Sequence, residues 1–311
     1  MPGVPYDELL NDAELIADPT LGDKVLDALA DTAGRRPARH SGAVPARPYI
    51  YVGNGLPAEL RTPRLRWFHS SFAGNDAVLR DFPAGALLTR TVGRMNERIA
   101  QYVLGWLLAD AQYVPEYLAR HAAAEWHCVP GDLVAGRLAL VYGTGRIGAA
   151  VGALLQRVGI RTVGVARRPR PTAGFDDTAT AQEADALLPR AAWVVNVLPL
   201  TPATAGFFAS DRFSAMRGAL FVNVGRGATA DTSALASALH AGTVRRAILD
   251  VLPAEPAPPD APAWHLPHTV LTSHSAGVTT PEDVIQDFAA CWSALRSGRR
   301  PELAVDVGRG Y

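Results

Sequence analysis

The sequence predicts an α/β protein in which most of the chain forms a doubly wound parallel sheet. Short apolar segments alternate with helix-compatible segments between residues 138 and 272, which is the pattern of parallel strands joined by crossover helices. One apolar segment ends in glycines spaced G-x-G-x-x-G, at Gly143, Gly145 and Gly148, where a strand would give way to a helix. The chain has 311 residues, which is enough for two domains with separate cores.

Composition and charge exclude several classes of protein. Hydrophobic residues make up 48% of the chain and charged residues 19%, which is ordinary for a globular protein. The formal net charge is zero, so no global field would attract nucleic acid or an anionic membrane. There is no signal-peptide pattern, and the apolar run at 103–109 is too short to span a bilayer, so a cytoplasmic protein is expected. Cys128 and Cys291 have no partner spacing, so neither a disulfide nor a metal site is predicted.

The first part of the chain predicts short elements separated by Pro and Gly. Strands are expected at 14–17, 49–52 and 65–68, an amphipathic helix at 22–33, and a polar loop at 35–47. The third strand leads into a turn with Ala73 and Gly74 that would open a helix at Asp76. Backbone N–H groups at such a turn can hold a carboxylate, although a purely structural connection fits equally well.

One long helix is predicted at 96–117. Its broad apolar face is formed by Ile99, Val103, Trp106, Leu107 and Leu108. We expect this helix to bridge the two domains, and Trp106 to serve packing rather than chemistry.

The second part of the chain predicts a regular alternation. Strands are expected at 138–142, 160–166, 193–198, 219–224, 247–251 and 269–272, with helices at 149–158, 181–188 and 210–216, after a cap at Asp231 or Thr232, and from Pro281. In an open parallel sheet, ligands bind at the carboxyl ends of the strands. Arg226, Glu255 and His274 all follow such ends, so we group them as a candidate site.

The glycine motif indicates a dinucleotide site. Gly143 would allow the tight turn, Gly145 would let a diphosphate approach the backbone, and Gly148 would let helix and strand pack closely. The first N–H groups of the following helix would face the diphosphate. A merely glycine-rich turn is the alternative, but the flanking strands and helix favour the dinucleotide.

The end of the next strand indicates which dinucleotide is bound. An acid about 20 residues past the glycines would accept hydrogen bonds from the adenosine ribose. This chain has Ala166 there, followed by Arg167, Arg168 and Arg170. Guanidinium groups pair with a 2′-phosphate, so NADP(H) is preferred and NAD(H) remains possible. An exposed basic turn is the alternative interpretation.

Six short segments, in order, carry a family resemblance. They are 71–76 (SFAGND), 143–148 (GTGRIG), 198–202 (LPLTP), 223–227 (NVGRG), 249–251 (LDV) with Glu255-Pro256, and 273–277 (SHSAG). Together they resemble the D-isomer-specific 2-hydroxyacid dehydrogenase family, and the arginine-rich turn resembles its glyoxylate/hydroxypyruvate reductase branch, whose members prefer NADPH. The resemblance implies a Rossmann cofactor domain at 96–280, a flavodoxin-like α/β substrate domain at 1–95 plus 281–311, and a homodimer.

The resemblance also implies a reaction, in which a hydride moves between NADP(H) and the C2 atom of a small 2-keto or 2-hydroxy acid. His274 would be the general acid/base, and Glu255 would hydrogen-bond its far ring nitrogen. Arg226 would bind the substrate carboxylate, and the backbone N–H groups of Ala73 and Gly74 would take its other oxygen.

The residues expected to line the two ligands follow from the same resemblance. The cofactor residues are Gly143, Thr144, Gly145, Arg146, Ile147, Gly148, Arg167, Arg168, Leu198, Pro199, Thr204, Val224, Gly225, Arg226, Asp250, His274 and Ala276. The substrate residues are Ala73, Gly74, Arg226 and His274, and Asp250 would contact the nicotinamide amide. Gln101 and Gln112 depart from the family pattern without removing a catalytic group.

Two other functions are compatible with the motifs. One is a family enzyme that acts on a different oxyanion substrate in a specialised pathway. The other is a non-catalytic, NADP(H)-binding regulator that uses the same fold. The presence of Arg226, Glu255 and His274 counts against the regulator.

Overall fold

The computed structural model describes residues 5–308, and the chain divides into two compact units. Unit 1 comprises Met1–Arg94 and Thr279–Tyr311, and unit 2 comprises Met95–Val278. In chain order the strands are β1 (Glu14–Ala17), β2 (Ala38–Arg39), β3 (Tyr49–Gly53), β4 (Leu65–Ser70), β5 (Leu87–Arg90), β6 (Leu138–Tyr142), β7 (Arg161–Val165), β8 (Asp177–Ala179), β9 (Trp193–Asn196), β10 (Ala219–Asn223), β11 (Val244–Leu249) and β12 (Thr269–Leu271). The α-helices are α1 (Asp23–Ala33), α2 (Asp76–Leu79), α3 (Met95–Ala111), α4 (Val114–Ala122), α5 (Arg146–Arg157), α6 (Ala181–Asp185), α7 (Ser210–Ala215), α8 (Thr232–Ala241) and α9 (Pro281–Arg296).

The described part of unit 1 is built on a parallel sheet in the order β2-β1-β3-β4-β5. This is the strand order of flavodoxin-like folds, as the sequence predicts. The last helix, α9, packs on this sheet because its apolar face carries Phe288 and Leu295, both fully buried. The ring of Phe288 stacks on Trp67 of β4 with centroids 5.2 Å apart. A capping box between Thr280 and Asp283 starts the helix.

Unit 2 is built on a parallel sheet in the order β12-β11-β10-β9-β6-β7-β8. The strand order reverses at β6, so β7 and β8 lie on one side of it and β9 to β12 on the other. Apolar clusters cover both faces, with Leu107 and Leu155 on one and Leu235 on the other. The predicted doubly wound, Rossmann-type sheet is confirmed, and ligands are expected where its order reverses.

The predicted helix at 96–117 is wrong in one respect, since it is two helices. α3 ends at Ala111, Tyr113 adopts a left-handed conformation with φ of 55°, and α4 begins at Val114. Pro115 explains the break, because its ring would clash with the carbonyl group of Ala111 in a continuous helix.

Other differences are smaller and lie at the edges of elements. The helix predicted at 181–188 ends at Asp185, and a 3-10 turn at Leu188–Arg190 follows because Pro189 cannot donate the required hydrogen bond. The predicted loop at 35–47 contains the two-residue strand β2, and β5 and β8 were not expected. These strands have two to four residues, which is too short to show an apolar alternation.

Candidate active site

A buried network of side-chain amides shapes the loops that follow β9 and β10. The Nδ2 group of Asn196 donates to Oδ1 of Asn223 at 3.0 Å and to the hydroxyl oxygen of Thr229 at 2.6 Å. Oδ1 of Asn196 accepts from the Leu198 N–H group at 3.1 Å, and Oδ1 of Asn223 accepts from the Gly225 N–H group at 3.1 Å. Both loops are therefore held by the last residues of their own strands.

Arg226 lies at the start of the loop after β10 and is half-buried. Its carbonyl oxygen accepts from the Thr229 hydroxyl at 2.6 Å and from Nδ2 of Asn223 at 3.3 Å. Its Nη1 group donates to the carbonyl oxygen of Gly225 at 2.8 Å. These bonds fix the backbone at Arg226, so the guanidinium group extends from a rigid loop.

Asp250 is buried and organises the turn that carries His274. Its Oδ1 atom accepts from the Thr272 hydroxyl at 2.7 Å, from Ser275 N at 2.8 Å and from Ala276 N at 3.1 Å. Its Oδ2 atom accepts from Ala276 N at 3.1 Å, and its backbone oxygen accepts from His274 N at 2.7 Å. A single carboxylate thus collects the donors of the turn, and charged acceptors make stronger bonds than neutral ones.

His274 and Glu255 form a hydrogen-bonded pair in unit 2. Nδ1 of His274 lies 2.7 Å from Oε2 of Glu255, and Oε1 of Glu255 accepts from Leu252 N at 2.6 Å. Because a carboxylate only accepts, Nδ1 carries the proton. Among the described residues Nε2 has no hydrogen-bond partner, and the His274 side chain is 55% exposed. Ser273 and His274 both have positive φ, 54° and 57°, which turns the backbone sharply here.

A cavity of about 400 Å³ adjoins this pair within unit 2. Its walls include the pair itself and the apolar side chains of Leu252, Pro256, Trp264 and Leu271. The indole N–H of Trp264 donates to the carbonyl oxygen of Pro258 at 2.9 Å, which ties down the proline-rich loop. The carboxylate that orients His274 is therefore supported by its own loop.

The glycine turn between β6 and α5 has the space that a diphosphate needs. Gly143 has φ of 110°, a conformation that side chains rarely adopt, and a Cβ atom on Gly148 would lie 1.8 Å from the Gly143 carbonyl oxygen. A Cβ atom on Gly145 would meet nothing within 4 Å, so the turn is open there. Helix α5 begins at Arg146, and its first N–H groups have no intrahelical acceptor. The turn therefore fits an anionic ligand.

The other predicted cofactor residues lie around this edge of the sheet of unit 2. Arg167 and Arg168 follow β7 after one intervening residue, Ala166, and are exposed, and Thr144 and Ile147 are half-buried. Thr204 closes the turn after β9, since its hydroxyl donates to the Pro199 carbonyl oxygen at 2.6 Å. The remaining members, Val224 and Ala276, are buried.

Ala73 and Gly74 lie in the turn after β4 in unit 1. The N–H groups of both residues donate to no described residue, whereas the Ala73 carbonyl oxygen accepts from Nδ2 of Asn75 at 3.2 Å. Gly74 is exposed. Two backbone donors are thus available at this turn.

A sequence profile described as the D-isomer specific 2-hydroxyacid dehydrogenase, NAD binding domain, matches residues 104–276. The chain belongs to this family. The resemblance found in the sequence is thereby confirmed, and this dehydrogenase is an oxidoreductase.

Two curated relatives match most of the chain. A Streptomyces coelicolor chain described as an uncharacterized protein in the mprR 3′ region is 56% identical over 273 residues, covering 87% of this dehydrogenase and 98% of the relative. Glyoxylate/hydroxypyruvate reductase A of Serratia proteamaculans is 30% identical over 257 residues, covering 80% and 82% of the two chains.

Solved structures of the family match most of this dehydrogenase. The D-isomer specific 2-hydroxyacid dehydrogenase of Xanthobacter autotrophicus Py2, in complex with NADPH and MES, has a TM-score of 0.87 at 28% identity. The NADPH-dependent glyoxylate/hydroxypyruvate reductase of Sinorhizobium meliloti, in complex with NADP and sulfate, has a TM-score of 0.86 at 26% identity. Each match covers 96% of this dehydrogenase and 100% of the other chain.

The residues that support the candidate site were not predicted from the sequence. Asn196, Asn223 and Thr229 were not singled out, and neither was Thr272, which links Asp250 to the hydroxyl group of Tyr102. An asparagine in the second half of two consecutive predicted strands was the available signal. Within residues 5–308, no group of three or more His, Cys, Asp or Glu side chains is arranged to hold a metal ion. No helix in the same range is long and apolar enough to cross a membrane.

Proposed function

We propose that this dehydrogenase reduces a small 2-keto acid of the glyoxylate or hydroxypyruvate type with NADPH, and that His274 supplies the proton. The observation that carries the proposal is the 2.7 Å hydrogen bond between Nδ1 of His274 and Glu255. With Nδ1 engaged, Nε2 is the nitrogen that faces outward and can exchange a proton with substrate. This is the arrangement that general acid catalysis requires.

The chemistry of the pair follows from its charges. In the reducing direction the doubly protonated imidazolium of His274 donates the Nε2 proton to the ketone oxygen as C2 is reduced. The Glu255 carboxylate stabilises the imidazolium and holds the ring in one orientation, in the way that a buried acid orients histidine in hydrolase triads. Leu252 N holds the second carboxylate oxygen at 2.6 Å, which limits rotation of Glu255.

The glycine turn and the arginines are proposed to hold NADP(H). When bound, this cofactor supplies the hydride for C2 of the keto acid. The open turn at Gly145 and the N-terminus of α5 suit the diphosphate, and Arg167 and Arg168 suit the 2′-phosphate. Two solved relatives are complexes with NADPH or NADP, which supports the same preference.

Substrate binding is proposed to rest on Arg226 and on backbone donors. The guanidinium group of Arg226 would pair with the carboxylate of the keto acid and polarise its carbonyl. Ala73 and Gly74 would contribute N–H groups to the carboxylate. Leu198, Pro199, Thr204, Val224, Asp250 and Ala276 are proposed as further cofactor contacts.

A substrate panel tests the proposal directly. Glyoxylate, hydroxypyruvate and larger 2-keto acids are each mixed with the protein and NADPH, and in parallel with NADH, while nicotinamide absorbance is followed. We expect turnover with at least one acid and faster turnover with NADPH. Tight NADPH binding without turnover of any acid would instead favour the non-catalytic regulator, and turnover of another oxyanion would favour the specialised enzyme.

The cofactor preference has its own test. Replacing Arg167 and Arg168 by Ser removes the cations proposed for the 2′-phosphate. We expect the KM for NADPH to rise about 10- to 100-fold while the KM for NADH changes little, because only NADPH carries the phosphate. Arg217→Ser, at an exposed position outside this turn, is the matched control. An equal rise for both cofactors would contradict phosphate pairing.

We also propose that the protein is a homodimer. Large apolar side chains are exposed in one stretch of unit 2, with Leu118 at 66%, Leu133 at 85% and Trp126 fully exposed. Large exposed apolar side chains are typical of interaction surfaces, and most oligomers of soluble proteins are homo-oligomers, most often dimers. Sedimentation velocity gives the test, since Leu118→Glu should shift a dimer towards monomer and Leu200→Glu, elsewhere in unit 2, should not.

A further inference from the structure

Unit 1 contains a buried histidine, His69, that the proposed mechanism does not use. It lies on β4, is fully buried, and packs in edge contacts against the stacked rings of Trp67 and Phe288, with centroids 5.9 and 5.6 Å away. Burial lowers its pKa to about 3, so the ring is neutral at working pH. A neutral imidazole has one donor and one acceptor, and both must be satisfied in this apolar surrounding.

The neighbours of His69 are hydroxyl groups on β5 and just beyond it. Nδ1 lies 2.7 Å from the Thr89 hydroxyl, and Nε2 lies 3.2 Å from the Thr91 hydroxyl. The Thr89 hydroxyl also accepts from the indole N–H of Trp67 at 2.8 Å, and the Thr91 hydroxyl donates to the Ser70 carbonyl oxygen at 2.9 Å. These five residues form a continuous chain of hydrogen bonds.

Counting donors gives the direction of that chain. Because the single proton of the Thr91 hydroxyl goes to Ser70, this hydroxyl must accept from Nε2 of His69. Nδ1 is then unprotonated and accepts a hydrogen bond from the Thr89 hydroxyl, which itself accepts one from the Trp67 indole N–H group. One tautomer, with the proton on Nε2, therefore satisfies every group in the chain.

The chain ends at the turn that carries Ala73 and Gly74. The Ser70 carbonyl oxygen accepts twice from Thr91, from its N–H and from its hydroxyl, both at 2.9 Å. The Ser70 hydroxyl donates to the Phe72 carbonyl oxygen at 3.0 Å and accepts from the Phe72 N–H group at 3.2 Å. The orientation of Ser70 thus determines the direction in which the backbone enters the turn of Ala73 and Gly74.

We infer that His69 and Thr91 are positioning residues that orient the backbone N–H donors of Ala73 and Gly74 for the substrate carboxylate. The inference rests on the proposed function, because the carboxylate contact is part of it. The role is indirect, since neither side chain reaches the turn itself. It is a property of unit 1 alone.

The sharpest variant is Thr91→Val, which removes the linking hydroxyl and keeps the shape. We expect the KM for hydroxypyruvate or glyoxylate to rise about fivefold while kcat and NADPH affinity stay within about twofold, since two neutral hydrogen bonds, to His69 and to Ser70, are lost. Thr91→Ser restores the hydroxyl and should restore the wild-type KM. Thr32→Val in α1 is the matched control, because it also deletes a hydroxyl bonded to a backbone carbonyl of unit 1.

Comparing the melting temperature with KM distinguishes a residue that positions the turn from one that only stabilises the fold. Both valine variants should lower the melting temperature by a few degrees, but only Thr91→Val should raise KM. An unchanged KM in Thr91→Val, with the same loss of melting temperature as Thr32→Val, would overturn the inference.

A second readout does not depend on turnover. In nitrogen–proton correlation spectra, Thr91→Val should move the amide signals of Ala73 and Gly74, and Thr32→Val should not. If the wild-type enzyme reduced no keto acid, the proposed function would fail. These amide signals would still show whether Thr91 orients the turn of Ala73 and Gly74. Unmoved signals would refute the chain of bonds as the element that orients it.

Discussion

The turn after β4 in unit 1 and the turn after β12 in unit 2 are both proposed to face ligand, yet they are anchored by opposite chemistry. The unit 2 turn is held by one buried carboxylate, Asp250, which accepts from Thr272, Ser275 and Ala276. The unit 1 turn is held through neutral groups, with His69 joining two threonine hydroxyls. Charge-assisted bonds are roughly twice as strong as neutral ones, so the two turns should differ in how much a single substitution disturbs them.

Removing the charge from the unit 2 anchor should have the largest effect. Asp250→Asn removes the negative charge and places an NH2 group where Oδ2 accepts from the Ala276 N–H group, so we expect the unfolding free energy to fall by about 2–4 kcal/mol and kcat to fall more than about tenfold. Thermal unfolding and steady-state kinetics measure the two. Asp260→Asn, on an exposed loop, is the control. A variant with wild-type stability would show that the carboxylate does not anchor the turn.

Changing the partner of His274 should affect activity and spare stability. Glu255→Gln keeps a hydrogen-bond acceptor but removes the charge that stabilises the imidazolium, so kcat should fall about 10- to 100-fold. Glu255 is part-exposed, and the melting temperature should therefore move little. Glu125→Gln, which is also exposed, is the matched control. Wild-type kcat in Glu255→Gln would contradict the proposed acid.

His69, which anchors the unit 1 turn, should make the free energy of unfolding depend on pH. His69 has an ordinary pKa of 6.5 and a folded pKa of about 3, so between these values the unfolded chain binds the extra proton. Stability must then rise with pH in this window and be lost as pH falls, with a slope of up to about 1.4 kcal/mol per pH unit from this group.

The variant that isolates this slope is His69→Phe, which retains ring packing against Trp67 and Phe288. Its unfolding free energy should depend less steeply on pH between about 3 and 6.5 than that of the wild type. His240→Phe, at an exposed position of α8, should leave the slope as it was. Identical slopes in wild type and His69→Phe would mean that His69 is not buried as a neutral ring.

Local patterns in the sequence were enough to predict the fold class. The glycines at Gly143, Gly145 and Gly148 and the alternation of apolar segments are short-range signals, and each reports on a strand, a turn or a helix by itself. Pro115 was an equally local signal, and reading it would have divided the helix at 96–117 correctly. The two-residue strand β2 has no pattern of its own and forms only because β1 lies beside it.

The contacts that support the candidate site could not be predicted from local sequence patterns. Asn196 and Asn223 are register partners on β9 and β10, so their bond depends on a pairing between strands separated by α7. The chain from Trp67 to Ser70 likewise depends on the register of β4 with β5. A one-residue slip of either pair would turn these side chains to the other face. The roles of Arg226, Glu255 and His274 stay predictions until variants are assayed.

Gly227 joins the two halves of the chemistry proposed for unit 2. A Cβ atom at this position would lie 1.9 Å from the carbonyl carbon of Leu252, so the two loops touch backbone to backbone. Leu252 is the residue whose N–H holds Glu255. A single added methyl group at Gly227 would push apart the loop of Arg226, proposed to bind the substrate carboxylate, and the loop of Glu255, proposed to orient the proton donor, so under the proposed mechanism one substitution here would change substrate affinity and acid catalysis together.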